Sequence, residues 1–141
     1  MENDQSREIA LNIIKGHNNL TMATCSKNLI PNATPHEYLY LNENIYIEIS
    51  PNHQSVLNLQ ENPVVHFVIF DQFIPNQIPR NPYVLQTLAK SDIFEYKEPN
   101  IEEFDEVWNE MVKKFPFMSI FKKEQRVLLK FIPEKGDLIK F

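Results

Sequence analysis

The chain has 141 residues, of which 43% are apolar and 23% charged, and its formal net charge is −5. This length predicts one domain over residues 1–141 with a single core, and the composition is typical of a globular protein. No apolar run reaches the length that spans a membrane, and an acidic chain without a basic stripe is a poor nucleic-acid binder.

The compartment predicted from the sequence is the cytoplasm. The start of the chain carries acids and lacks the uninterrupted apolar core of a secretory signal. Cys25 is the single cysteine, so it cannot form an internal disulfide, which indicates a reducing environment. The histidines have no zinc-ligand spacing, so no metal site is predicted.

The first half of the chain predicts a helix followed by three extended segments. The helix covers residues 4–15, carries a short isoleucine stripe and ends at Gly16. The strands that follow are predicted from alternation, from a proline that disfavours helix, or from isoleucines on one face. They are LTMATCS, ATPHEYLYL and IYIEIS, and NEN joins the last two as a hairpin turn.

The stretch SPNHQSVLNLQENP predicts a loop that opens a short helix over residues 53–61, which Pro63 ends. A helix N-terminus between two strands is a natural place to hold an anion. The stretch contains no lysine or arginine, and no basic residue lies between Lys27 and Arg80. Two interpretations therefore stay open: a phosphate site that binds without cations, or one whose function has been lost.

The second half predicts a small antiparallel barrel with one peripheral helix. VVHFVIF is apolar at all positions but one, which is typical of a strand buried on both faces. A proline-rich loop, FIPNQIPRNP, precedes YVLQTLAKSDIFEY, which is one long strand or a bent pair. The helix IEEFDEVWNEMVKKF, the strand RVLLKFIP and a short strand LIKF follow. The fold class is therefore mainly β, with about six strands.

This order of elements resembles the pyridoxamine 5′-phosphate oxidase-like split barrels, the FMN-binding superfamily that includes nitroimidazole-resistance and general-stress proteins. The matching elements span roughly residues 8 to 141. They are Ala33-Thr34-Pro35, the hairpin into Ile45-Tyr46-Ile47, Ser50-Pro51, Asn58-Leu59, Asn62-Pro63-Val64, the helix containing Trp108, and VLLKFIP. The resemblance implies an FMN-binding split β-barrel.

The resemblance also implies an obligate homodimer with two FMN sites between its subunits. The flavin ring would lie along the strand Pro35–Tyr38, and the phosphate would lie near Ser50–Ser55. The candidate cofactor-binding residues are accordingly Pro35, His36, Glu37, Tyr38, Ile49, Ser50, Asn52, His53, Gln54 and Ser55. A homodimer would also cover the aromatic residues expected at the surface: Phe67, Phe70, Phe73, Phe115, Phe117 and Phe121.

The phosphate end departs from the pattern of the family. FMN-binding members commonly have an Arg-Lys pair where this chain has Gln54-Ser55, and Glu48 stands where a small hydroxyl residue is usual. Replacing two cations by neutral donors costs on the order of 2–4 kcal/mol of binding free energy. The sequence therefore predicts weak FMN binding unless the partner subunit supplies a cation.

Two classes of function remain open. The first is an FMN-dependent oxidoreductase that acts on an unknown small molecule, oriented by His36, Glu37 and Tyr38. The alternative is a non-catalytic split-barrel protein that binds flavin weakly, or haem or another ligand, at a degenerate phosphate site. No catalytic residue is identified from the sequence.

Overall fold

The computed structural model describes residues 4–70, 75–77 and 83–140, with side chains as far as residue 132. The predicted loop over residues 73–82, including Phe73, lies outside the described residues except for 75–77. The elements in chain order are α1 (Asp4–Gly16), β1 (Asn19–Cys25), β2 (Pro31–Glu37), β3 (Leu39–Leu41), β4 (Asn44–Ile49), α2 (Gln54–Glu61), β5 (Val64–Ile69), β6 (Tyr83–Glu95), α3 (Ile101–Lys114), two short 3-10 segments (Pro116–Ile120 and Lys123–Gln125) and β7 (Val127–Lys140).

The strands form one antiparallel sheet in the order β2-β1-β5-β6-β7-β4-β3. The two edge strands, β2 and β3, follow each other in the chain and are joined at Tyr38. The sheet therefore curls until its edges meet, which confirms the predicted mainly β split-barrel fold. No helix in the described part of the chain is long and apolar enough to cross a membrane.

The strand count is seven rather than about six, and the end of the chain differs from the prediction. RVLLKFIP and LIKF are not two strands but parts of β7, which pairs with β6 along its length. The pairing shifts register between Leu88 and Ala89, and Ala89 stands opposite Pro133. Because proline cannot donate to a ladder, an irregularity at this point lets the strand continue past it.

Two apolar clusters hold the fold together. Inside the barrel, inward-facing strand residues such as Met22, Ile47 and Phe67 pack with residues of α1 and α2. On the outside, α3 packs Phe104, Trp108 and Met111 over the other face of the β4–β7 ladder. The acidic first turn and basic last turn of α3 complement its dipole, as the sequence predicts.

The prediction that VVHFVIF is buried on both faces is wrong for the single chain. β5 alternates, with Val65, Phe67 and Ile69 in the core. The other face is only partly covered, since Val64 is 37% and Phe70 43% exposed. An apolar outward face of this kind is found where another surface packs on a sheet.

Candidate ligand site

Polar side chains on β2 meet the N-terminus of α2 at one end of the barrel. Asn32, Thr34 and His36 alternate along β2 and stand opposite the buried residues of β1, so they share the core-facing side of the sheet. The Asn32 amide donates to the Ser55 hydroxyl over 3.1 Å, and the Thr34 and Ser55 hydroxyls lie 3.4 Å apart. Thr34 Oγ1 lies 2.7 Å from Nε2 of His36.

His53 completes this group, which we call the polar cluster: Asn32, Thr34, His36, His53 and Ser55. Its Nδ1 accepts the backbone N–H of Ser55 over 3.0 Å and so caps α2. The rings of His36 and His53 meet edge to face, with centroids 5.4 Å apart. Burial lowers the pKa of His36 to about 4, and His53 nearby acts in the same direction. His36 is therefore neutral at physiological pH.

The start of α2 is consequently closed by groups of the chain itself. Ser55 is fully buried, its N–H is capped by His53, and its hydroxyl bonds to β2. The amide of Gln54 donates to Asn58 within the helix over 2.9 Å. The cluster thus offers neutral hydrogen-bonding groups rather than a ready-made pocket for a dianion.

A cavity of about 470 Å³ lies beside the polar cluster, between the β1–β2 loop and α2. Asn32 belongs both to the cluster and to the cavity lining, and Gln54, next to Ser55 in the chain, also lines the cavity. Its described lining residues are Ser26, Lys27, Asn28, Ile30, Pro31, Asn32, Gln54, Leu57, Asn58 and Glu61. The loop is held against the helix because the N–H of Lys27 donates to a carboxylate oxygen of Glu61 over 3.1 Å.

The structure brings several of the sequence-predicted site residues together. His36, His53 and Ser55 belong to the polar cluster, and Gln54 lines the cavity. Ser50 and Asn52 lie in the loop before α2, where the Asn52 N–H donates to the Ser50 hydroxyl.

Other predicted site residues lie elsewhere. Pro35 and Glu37 are exposed on the face of β2 opposite His36, and Ile49 is buried in the core. Tyr38 is fully buried, its hydroxyl donates to the carbonyl of Ile14 over 2.6 Å, and Lys114 lies over its ring. The hydroxyl of Tyr38 is therefore engaged in holding α1 to the sheet.

Three members of the site were missed in the sequence. Asn32 and Thr34 precede His36 by four and two residues, so strand alternation puts all three on one face. Lys27 lies far from Gln54 in the chain, and only the folding of the β1–β2 loop onto α2 brings them to one cavity. The alternation could have predicted Asn32 and Thr34 from the sequence, whereas no pattern in the sequence predicts where the β1–β2 loop lies.

Glu48 has a different environment from the one the sequence suggested. By strand alternation it lies on the same side of β4 as Tyr46, and Arg126, whose guanidinium lies over the ring of Phe121, donates to its carboxylate. Burial raises the pKa of Glu48, and the guanidinium opposes that rise. The negative charge is thus matched by a cation of the same chain and is not free to repel a ligand phosphate.

The strand order defines the molecule as a split-barrel protein, with a candidate polar site where β2 meets α2. Its sequence matches the family profile of pyridoxamine 5′-phosphate oxidase over residues 7–140. The chain belongs to the pyridoxamine 5′-phosphate oxidase family. No curated protein matches the sequence significantly.

Solved structures with the same fold include proteins described as binding different ligands. The haem storage protein HutZ from Vibrio cholerae has a TM-score of 0.75 and 18% identity, covering 96% of this chain and 94% of that one. An FAD-binding protein from Mesorhizobium loti has a TM-score of 0.70 and 15% identity, covering 91% and 89%. General Stress Protein 26 from Bacillus anthracis has a TM-score of 0.67 and 15% identity, covering 96% and 98%.

Proposed function

We propose that the protein binds a flavin nucleotide of the FMN type and is an FMN-dependent oxidoreductase acting on a small molecule. The observation that carries the proposal is the polar cluster, which collects neutral hydrogen-bonding side chains beside an open cavity. The cluster lies on the strand and helix start where the family resemblance implies the cofactor.

The residues present fit the uncharged parts of such a cofactor. A flavin ring and its ribityl chain carry polar atoms that need neutral donors and acceptors, and amides, hydroxyls and a neutral imidazole supply both. His36 is suited to hold a polar ring atom or the substrate, since it stays neutral near pH 7. The bound flavin would supply the redox chemistry, while the chain positions it and limits access of water.

The same proposal includes a homodimer. The outward face of β2, β1 and β5 carries apolar side chains that the single chain leaves partly exposed, with Pro35, Val68 and Phe70 around one shallow cavity. A second copy packed there would bury well over ~2,000 Å², as obligate dimers do. The single cysteine supports a cytoplasmic location.

A second candidate function is non-catalytic binding of haem. It is favoured by the two imidazoles of His36 and His53, because a neutral imidazole is a good axial ligand for iron. The similarity in fold to a haem storage protein supports the same alternative.

Titration of the purified protein with FMN and, separately, with haem distinguishes the two functions. Saturable quenching of flavin fluorescence supports the first proposal, and a shifted Soret band that is lost in His36→Ala supports the second. His17→Ala is the matched control, since His17 lies at the end of α1 outside the polar cluster. Absence of FMN binding at millimolar protein would refute the flavin proposal.

A further inference from the structure

We propose that Lys27 supplies the positive charge that binds a ligand phosphate, in the cavity between the β1–β2 loop and α2. The inference rests on the proposed flavin function, because it assigns the phosphate of FMN to this cavity. It replaces the expectation, drawn from residues 50–55, that the binding site for the phosphate lacks a cation within the subunit.

The β1–β2 loop has a fixed conformation that keeps Lys27 beside α2. The N–H of Leu29 donates to the carbonyl of Ser26 over 2.9 Å, and the N–H of Ile30 donates to the Ser26 hydroxyl over 3.2 Å. The N–H of Lys27 is bound to Glu61 on the last turn of α2. These bonds anchor the backbone at both sides of Lys27, and Lys27 and Gln54 both line the cavity.

Lys27 is available for a ligand, whereas two other cations, Arg126 and Lys114, are engaged within the fold. Its side chain is exposed, and it forms no ion pair with any residue that the structure describes. Arg126 is bound to Glu48, and the Lys114 ammonium donates to the carbonyl of Tyr38 over 2.8 Å. Among the described residues that line the cavity, Lys27 is the single cation.

The cavity combines this charge with neutral groups suited to phosphate oxygens. Asn28 and Gln54 line the same space and carry amide donors. Glu61 is the opposing charge, since its carboxylate lies in the same cavity. The balance between Lys27 and Glu61 therefore sets how strongly a phosphate is held, and the two residues should act in opposite directions.

The test compares FMN with riboflavin, which lacks the phosphate, in four proteins: wild type, Lys27→Gln, Glu61→Gln and the control Lys97→Gln. Lys97 is an exposed lysine outside the cavity, so its substitution makes the same change in net charge. Glutamine at residue 61 keeps an acceptor for the N–H of Lys27. Affinities are measured by flavin fluorescence, and binding of inorganic phosphate is measured separately by thermal shift against sodium chloride.

We expect Lys27→Gln to weaken FMN binding roughly ten-fold while riboflavin binding stays unchanged. Glu61→Gln should strengthen FMN binding, and Lys97→Gln should change neither ligand. Stabilisation by inorganic phosphate should occur in wild type and disappear in Lys27→Gln.

The outcomes separate this inference from the proposed function. If phosphate stabilises wild type but not Lys27→Gln and no flavin binds, the anion site stands and the flavin function fails. If FMN binds equally to wild type and Lys27→Gln, the flavin function stands and the role of Lys27 is refuted. If neither flavin nor phosphate binds, both are refuted.

Discussion

Replacing Arg126 by methionine should leave the buried carboxylate of Glu48 without its cation and destabilise the fold. The Glu48 side chain is only 3% exposed, and the Arg126 side chain is 20% exposed. The guanidinium also lies over the ring of Phe121, 4.4 Å from its centroid, and methionine keeps part of that apolar contact. The variant therefore removes the charge while preserving much of the packing.

The magnitude follows from the burial of the pair. Removing one partner of a buried ion pair costs about 3–5 kcal/mol, and the partial exposure of Arg126 places the expected loss at about 3 kcal/mol. For a chain of this length that loss lowers Tm by about 10 °C. The double variant Glu48→Gln/Arg126→Met should recover most of the stability, because it also removes the stranded charge.

The loss should depend on pH in a defined direction. Burial raises the pKa of Glu48 above its ordinary value despite the opposing guanidinium, so the folded state binds this proton more tightly than the unfolded state does. The stability that the fold gains from protonated Glu48 is present below the pKa of Glu48 in the unfolded state, and it is lost as pH rises through the pKa in the folded state. Without Arg126 the folded pKa rises further, so the deficit of Arg126→Met should be small in acid and grow toward neutral pH.

Urea unfolding of the wild type, the single variant and the double variant at about pH 5 and about pH 8 measures these effects. The reasoning fails if Arg126→Met loses less than about 1 kcal/mol at the higher pH, the range of an exposed ion pair. It also fails if the loss is the same at both values of pH.

Further variants test the candidate site, the proposed homodimer and the contact between Lys114 and Tyr38. Gln54→Arg should strengthen FMN binding roughly ten-fold in a fluorescence titration. Ser55→Lys should instead lower Tm, because it buries an ammonium and breaks the bonds of the polar cluster; an unchanged melting curve would contradict this. If the wild type is the proposed homodimer by light scattering, Val68→Asp should give a monomer, and a persisting dimer would refute an interface at this face. Lys114→Met should cost about 1–3 kcal/mol in urea unfolding, since the carbonyl of Tyr38 loses its donor.

Much of the fold could be predicted from local patterns. The helices α1, α2 and α3 and the strands β1 and β4 lie within a few residues of their predicted bounds, because each has a strong period or an evident stop. The prediction divided β7 at Pro133, since a proline usually ends a strand. The irregularity that lets β7 continue past Pro133 is a property of its pairing with β6. A local sequence pattern does not show which strand pairs with β7.

β5 shows a second limit of sequence patterns. An apolar run predicts burial of both faces, but it does not say whether the covering surface belongs to the same chain. In the described chain one face of β5 lies in the core and the other includes Val64, which stays 37% exposed. The pattern is consistent with the proposed homodimer, whose interface is a property of two chains.

The candidate site was predictable where a side chain's face follows from the strand period. His36 was found, and Asn32 and Thr34 could have been found with it from the same period. Tyr38 was assigned to the ligand by resemblance, but it is buried in the barrel core directly after β2 ends at Glu37. Tyr38 keeps the core-facing side of His36, as the strand period predicts, but that period does not show that the carbonyl of Ile14 in α1 engages its hydroxyl.

The polar cluster gives a physical reason for the absence of a cation at residue 55. Ser55 is fully buried and bonded on two sides, so an ammonium at that position would require a large desolvation cost or a rearranged helix start. A cation for the ligand therefore has to come from outside the cluster, and the cavity beside it is lined by Lys27. In the proposed arrangement, contacts to the flavin ring and contacts to the phosphate would come from different elements. A change in the β1–β2 loop should then alter the preference for FMN over riboflavin without disturbing the ring site.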